Sequence, residues 1–366
     1  MDIEKRIGGE KYREITQGAI VNCGSSFRIK QALSKGIVTA AFVGGSVTYG
    51  YSPDGMAVKP NFAEQVCSYM EKSACAKKCI CKNYGLSGTA SLMGSILTEK
   101  YIRRTAPDII FVEYAVNESK SPDGIAMFEG LIRKLLKLES DPAVVIINIL
   151  NSELYSCDDF MRLIGLHYDL PVISCAAVLA PLFRSGGAKW SDYSSDAVHP
   201  VADGHKFIAD CVCRYIDYAV KSEDNIPYKI PQKLFSDEYE DLKFCDFSDR
   251  SLFDSKLGLK DSGVEYFEKV LKKEKSDGAV VFETELECRD LILVPILDNN
   301  AEWGCAEIYA DGEKASSLQE YTFFGWNNPN VKTVFKSKEI AKHHFVIRAA
   351  AGDERRILAF GGFAWC

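Results

Sequence analysis

From Ile37 to Val220 the chain alternates short apolar runs with longer stretches of helical period. Residues 38–43, 79–84, 108–114, 143–150 and 171–176 read as strands. Residues 61–72, 91–104, 124–138, 158–168 and 201–220 read as helices. In the third of these, Phe128, Leu131, Leu135 and Leu138 fall on one face, while Arg133, Lys134 and Lys137 fall elsewhere. Five strand–helix alternations predict a parallel sheet inside a three-layer α/β domain. The first 35 residues are mixed in character, with one short helix expected at 27–34.

After Ser222 the pattern changes. Residues 223–231 hold Pro227 and Pro231 and read as a linker. Farther on, short strand candidates follow one another at 278–287, 290–297, 305–310, 321–325, 332–335, 343–349 and 357–363. Turn signals such as Asp311-Gly312, Asn327-Asn328-Pro329-Asn330 and Gly352-Asp353 separate them. Strands at this spacing suggest a β-sandwich of the jelly-roll type. The expected division is an α/β domain over residues 1–225 and a β-sandwich over 226–366. Within the latter, the aromatic-rich stretch Tyr321-Thr322-Phe323-Phe324-Gly325-Trp326-Asn327-Asn328 fits either core packing with a solvated Asn-Asn turn or a platform for a carbohydrate. Core packing is the expectation, because large apolar residues fill sandwich interiors.

Composition narrows the class. The chain has 366 residues, 47% hydrophobic and 26% charged, enough for two globular domains. A net charge of −7 argues against a general nucleic-acid partner. No apolar run reaches the ~18 residues of a membrane span. The charged start, Met1-Asp2-Ile3-Glu4-Lys5-Arg6, has no apolar signal core, so no membrane partner is expected. The 13 cysteines mostly lie among apolar residues and read as reduced, buried small hydrophobes. With no signal segment, they point to the cytoplasm. The Cys79/Cys81 and Cys211/Cys213 pairs lack the clustered ligand spacing of a zinc site.

Four short segments carry chemistry. Gly44-Gly45-Ser46 follows the first strand of the α/β region, where side chains of an open sheet become accessible. Asn83-Tyr84-Gly85-Leu86-Ser87-Gly88 follows the second, and Glu113-Tyr114-Ala115-Val116-Asn117-Glu118 ends the third. Asp196-Ala197-Val198-His199-Pro200 precedes the last helix. A nucleophilic serine needs a base, and the base needs an orienting group; an Asp and a His three residues apart supply both. Taken singly, each segment has a plainer reading. Ser46 could cap a helix in a tight turn, Asp196 and His199 could belong to a capping turn, and Asn117 could be a turn residue. A phosphate loop is disfavoured, since neither GxGxxG nor a Walker lysine is present.

Together and in this order, the segments resemble the SGNH (GDSL-type) hydrolases over roughly residues 35–222. The resemblance implies a flavodoxin-like α/β fold and no metal or organic cofactor. It makes Ser46 the nucleophile, with Asp196 and His199 completing the triad, and the Ser46 amide, Gly88 and Asn117 the oxyanion hole. Two departures stand out. The first block usually reads Gly-Asp-Ser, and here it reads Gly44-Gly45-Ser46. The third usually reads Gly-x-Asn-Asp, and here the glycine is lost before Asn117.

A threonine two residues after Ser46 looks like the carbohydrate-esterase branch. That branch implies removal of acetyl groups from a sugar or polysaccharide, often beside an added β-sandwich. Tyr49 and Trp190 are the candidates to line the substrate, with Tyr51 beside them; ordinary packing is the alternative. If Asp196 does not orient the histidine, Asp192 or a backbone carbonyl is next. His167 and His205 read as structural. Two rival functions remain: an O-acyltransferase of the same fold, and a vestigial carbohydrate-binding protein.

Overall fold

The computed structural model describes residues 2–52, 56–73 and 76–366. The chain divides into two compact units, Met1–Glu240 and Asp241–Cys366.

The first unit opens with elements absent from the sequence expectation. These are α1 (Ile3–Ile7), α2 (Gly9–Gly18) and β1 (Ile20–Asn22), followed by α3 (Phe27–Ser34) where a helix was expected. Next come β2 (Ile37–Gly44), the one-turn α4 (Ser46–Tyr49), α5 (Phe62–Ser73) and β3 (Lys78–Gly85). α6 (Ser91–Leu97) runs through a π-helical turn (Thr98–Ile102) into α7 (Arg103–Thr105). Then follow β4 (Ile109–Glu113), α8 (Pro122–Leu136), β5 (Ala143–Asn148), α9 (Asp158–His167) and β6 (Val172–Ser174). α10 (Cys175–Arg184) and α11 (Ala202–Lys221) close the unit. The strand expected over 171–176 therefore stops early. Ser174 caps α10, its hydroxyl accepting from the Ala177 N–H at 3.0 Å.

The sheet runs β1-β6-β5-β4-β2-β3, parallel except for β1. β4 and β5 are buried at every residue, which is why their sequences read as unbroken apolar runs. From β2 onward the spatial order is that of flavodoxin-like sheets, with the winding reversed between β2 and β4. Ligands of such sheets bind outside the carboxyl ends of the strands at that reversal. Ser46 follows β2 and Asn117 follows β4, so topology alone directs attention there.

The linker beyond Ser222 is not loose. The buried Glu129 carboxylate of α8 accepts the N–H groups of Leu234, Phe235 and Ser236 at 2.6–2.8 Å. Arg133 pairs with Glu240, and the Tyr228 hydroxyl donates to the Tyr168 carbonyl at 2.6 Å. Gly130 leaves room for Tyr239, whose Cβ would lie 2.7 Å from a Cβ placed there. These ties carry residues 222–240 into the first unit.

The second unit is a curled antiparallel sheet forming a β-sandwich. Its strands are β7 (Lys243–Cys245), β8 (Leu259–Val264), β9 (Phe267–Lys273), β10 (Val280–Asp298), β11 (Cys305–Ala310), β12 (Glu313–Gln319), β13 (Trp326–Pro329), β14 (Lys332–Ala349) and β15 (Leu358–Trp365). The expected pairs 278–287/290–297 and 332–335/343–349 are two long strands, β10 and β14. Their shared register jumps where Cys288 pairs Ala341 but Asp290 pairs Lys336, so β14 bulges outward between. Phe247, Phe282, Phe360 and Phe363 fill the interior.

The core-packing expectation for the 321–326 stretch fails. Phe323 and Phe324 are each 78% exposed in a turn, and Trp326, 59% exposed, begins β13. Among the described residues, no helix is long and apolar enough to cross a membrane.

Candidate active site

The nucleophile turn is built on glycines. Gly44 ends β2 against Glu113 of β4. A Cβ on Gly44 would lie 2.1 Å from Thr48 Oγ1, and one on Gly85 would lie 2.2 Å from the Tyr49 nitrogen. With no side chains there, α4 settles onto the strand ends with Ser46 as its first residue.

His199 Nε2 lies 2.9 Å from Ser46 Oγ, and His199 Nδ1 lies 2.6 Å from Asp196 Oδ2. The other Asp196 oxygen accepts the N–H groups of Val198 and His199 at 2.7 and 2.6 Å. Burial raises the Asp196 carboxyl, but hydrogen bonds from His199 and Val198 outweigh it and hold it below its ordinary value. The Ser194 hydroxyl donates to the His199 carbonyl at 2.6 Å, closing the turn from the other side. An imidazole joined to a hydroxyl on one edge and a carboxylate on the other can take the hydroxyl proton as that oxygen attacks.

Asp192, the alternative partner, is engaged elsewhere: it pairs with Arg6 and accepts the Lys189 N–H at 2.8 Å. His205 is buried, accepts the Phe62 N–H through Nδ1 and is pushed down to about 4 by burial, so it stays neutral above that range. His167 lies 2.7 Å through Nε2 from the Gln232 carbonyl.

The oxyanion candidates follow the ends of β2, β3 and β4 in the chain. Gly88 has φ +73°, a conformation glycine adopts without strain. Asn117 lies in a tight turn, its N–H donating to the Tyr114 carbonyl at 3.0 Å. Its amide presses on Gly45: a Cβ there would lie 2.6 Å from Asn117 Oδ1. The Asn117 side chain occupies the space that a side chain at position 45 would need.

The substrate candidates separate. Tyr49 is exposed beside the nucleophile. Trp190 is half-buried against Phe183 and Tyr193, and its indole N–H donates to the Asp196 carbonyl at 2.6 Å. Trp190 therefore holds the turn that carries Asp196 and His199. Tyr51 packs on the imidazole itself, with ring centroids 4.5 Å apart.

Sequence reasoning missed the buried carboxyls of Glu113 and Glu118. Glu113 is 1% exposed, accepts the Thr48 hydroxyl at 3.0 Å, and is pushed up to about 7 by burial. A glutamate ending an otherwise apolar strand was the available signal.

No family model matches the sequence, and no curated protein matches it either. Among solved structures, a two-domain esterase active on acetylated mannans, co-crystallised with mannopentaose, matches with a TM-score of 0.81 at 20% identity. The match covers 94% of this chain and 96% of that one. An acetylxylan esterase from Geobacillus stearothermophilus matches 49% of this chain and 94% of its own at a TM-score of 0.40 and 15% identity. The first likeness is one of fold, over nearly the whole chain.

Proposed function

We propose that this chain is a serine ester hydrolase of the SGNH type that removes acetyl groups from a carbohydrate. The observation that carries the reading is the continuous hydrogen-bonded line from Asp196 through His199 to Ser46, at 2.6 and 2.9 Å. It lies at the winding reversal of a flavodoxin-like sheet.

In this reading Ser46 Oγ attacks the acetyl carbonyl while its proton passes to His199 Nε2. Asp196 holds Nδ1–H toward itself and stabilises the imidazolium. The tetrahedral oxyanion is met by the N–H groups of Ser46 and Gly88 and by the Asn117 side-chain amide. His199 returns the proton to the sugar oxygen, which leaves. Water, deprotonated by His199, then releases acetate from the acyl-enzyme. Tyr49 and Tyr51 form the near wall of the cleft. The carbohydrate part is supported by the shared fold with an esterase active on acetylated mannans. The exposed rings of the second unit are consistent with a sugar ligand.

The test is a screen of acetylated sugars and p-nitrophenyl esters of rising chain length, with Ser46→Ala as control. Acetyl esters should turn over fastest, and Ser46→Ala should abolish the activity. Turnover that rises with acyl length, or survives Ser46→Ala, would overturn the reading. Product analysis with an added sugar acceptor separates hydrolysis from acyl transfer.

A further inference from the structure

Two buried acids sit at either end of the loop that carries Asn117, and the chemistry above uses neither. Glu113 is the last residue of β4, and Glu118 follows Asn117. Each reaches to a different neighbouring loop. Glu113 accepts the Thr48 hydroxyl at 3.0 Å. Thr48 lies on α4, the single turn that begins with Ser46. Glu118 accepts the Ser91 hydroxyl, and the Ser91 N–H at 3.0 Å, while its other oxygen accepts the Ser119 N–H at 3.0 Å. Ser91 is fully buried at the start of α6 and closes the loop that carries Gly88.

The loop between the acids is itself fixed. The N–H groups of Asn117 and Glu118 both donate to the Tyr114 carbonyl, at 3.0 and 2.9 Å. The Glu118 carbonyl accepts the Tyr155 hydroxyl at 3.0 Å and the Cys157 thiol at 3.1 Å. So three oxyanion donors, on three loops from three strands, are linked by two short side-chain bridges. Both start from one six-residue segment, Glu113 to Glu118.

We infer that Glu113 and Glu118 are positioning residues, a pair of carboxyl clamps that hold the Ser46, Asn117 and Gly88 donors in one register. Glu113 fixes the nucleophile turn relative to Asn117, and Glu118 fixes the Gly88 loop relative to Asn117. The inference rests on the esterase reading. Its physical content is that preorganised donors stabilise developing charge only when they already converge. A shift of about 1 Å in such a group can cost on the order of 10²-fold in rate. The effect belongs to the transition state, so it appears in kcat and not in KM.

The partner hydroxyls offer the cleanest test, since their removal leaves both acids in place. Thr48→Val and Ser91→Ala should each lower kcat for an acetyl ester by about 10- to 100-fold, with KM within about twofold and the circular dichroism spectrum unchanged. Glu113→Gln keeps an acceptor for Thr48 and should retain kcat within about threefold, whereas Glu113→Ala should lose at least about tenfold. Wild-type turnover and its loss in Ser46→Ala establish the esterase reading first. With that in hand, folded Thr48→Val and Ser91→Ala proteins whose kcat stays within twofold would overturn the clamp alone. So would losses confined to KM, or a fall in thermal midpoint with unchanged kcat below it.

Discussion

The two units solve the burial problem in opposite ways, and the difference decides where function can be read. In the first, helices cover both faces of a parallel sheet, so its central strands are apolar throughout and every polar residue at a strand end is conspicuous. Ser46 and Asn117 stand out there for that reason. In the second, strands carry polar and apolar residues together, and β14 is buried only near its two ends, with exposed Lys336, Lys338, Glu339 and Lys342 between. Large aromatic residues there lie both inside and outside: Phe282 is buried, Phe323 exposed. Substitutions should therefore act on chemistry in the first unit and barely at all on the exposed rings of the second.

The largest effect is expected at the base. His199→Ala should lower kcat/KM for an acetyl ester by a factor on the order of 10⁴ or more, and Asp196→Asn should be less severe, because it orients rather than transfers the proton. Equal losses would make Asp196 more than an orienting group. Steady-state kinetics at fixed pH distinguish the two.

Asn117→Ala comes next. An oxyanion donor of this kind supplies about 2.7–4 kcal/mol of barrier, so kcat should drop about 10²- to 10³-fold with little change in KM. A pure KM effect would place Asn117 on the sugar instead.

The linker offers a stability comparison inside the first unit. A chain ending at Glu240 keeps every hydrogen bond to Glu129; one ending at Val220 lacks the three backbone donors of residues 234–236. Bonds to a charged group are worth about 1.5–3 kcal/mol each, so the shorter chain should unfold at markedly lower urea. Equal midpoints would mean the linker is an ornament.

The smallest effect belongs to the exposed rings. Phe323→Ser and Phe324→Ser should change stability by no more than about 0.5 kcal/mol and leave turnover of a small acetyl ester unaltered. A cost of about 3–5 kcal/mol, the size expected for a buried phenylalanine, would restore the core reading that their exposure overturns.

How much of this was legible follows the same division. The five parallel strands and the helices between them could be read because burial leaves few polar interruptions. α10 escaped because Cys175–Arg184 is apolar on nearly all sides and contains Pro181, so it showed no helical stripe. β12 escaped because it is an edge strand with exposed polar residues, Glu313, Lys314 and Ser317 among them. β10 and β14 were each cut in two because a bulge with charged flanks imitates a turn. At the site, Ser46, Asp196, His199, Gly88 and Asn117 were candidates from order and spacing; hydrogen bonds join Asp196, His199 and Ser46, and the Asn117 amide lies against Gly45. The supporting residues were not candidates. Thr48, Ser91, Glu113 and Glu118 act through contacts between distant segments, and Trp190 turned from a sugar-facing candidate into the anchor of the triad turn.

The central claim is that Ser46 is a nucleophile activated by His199. A serine-directed organophosphonate followed by peptide mass spectrometry tests it most directly. A single adduct is expected on the peptide bearing Ser46, formed at the rate at which esterase activity disappears, and strongly slowed in His199→Ala. An adduct on any other serine, or activity that persists while Ser46 is fully modified, would contradict it.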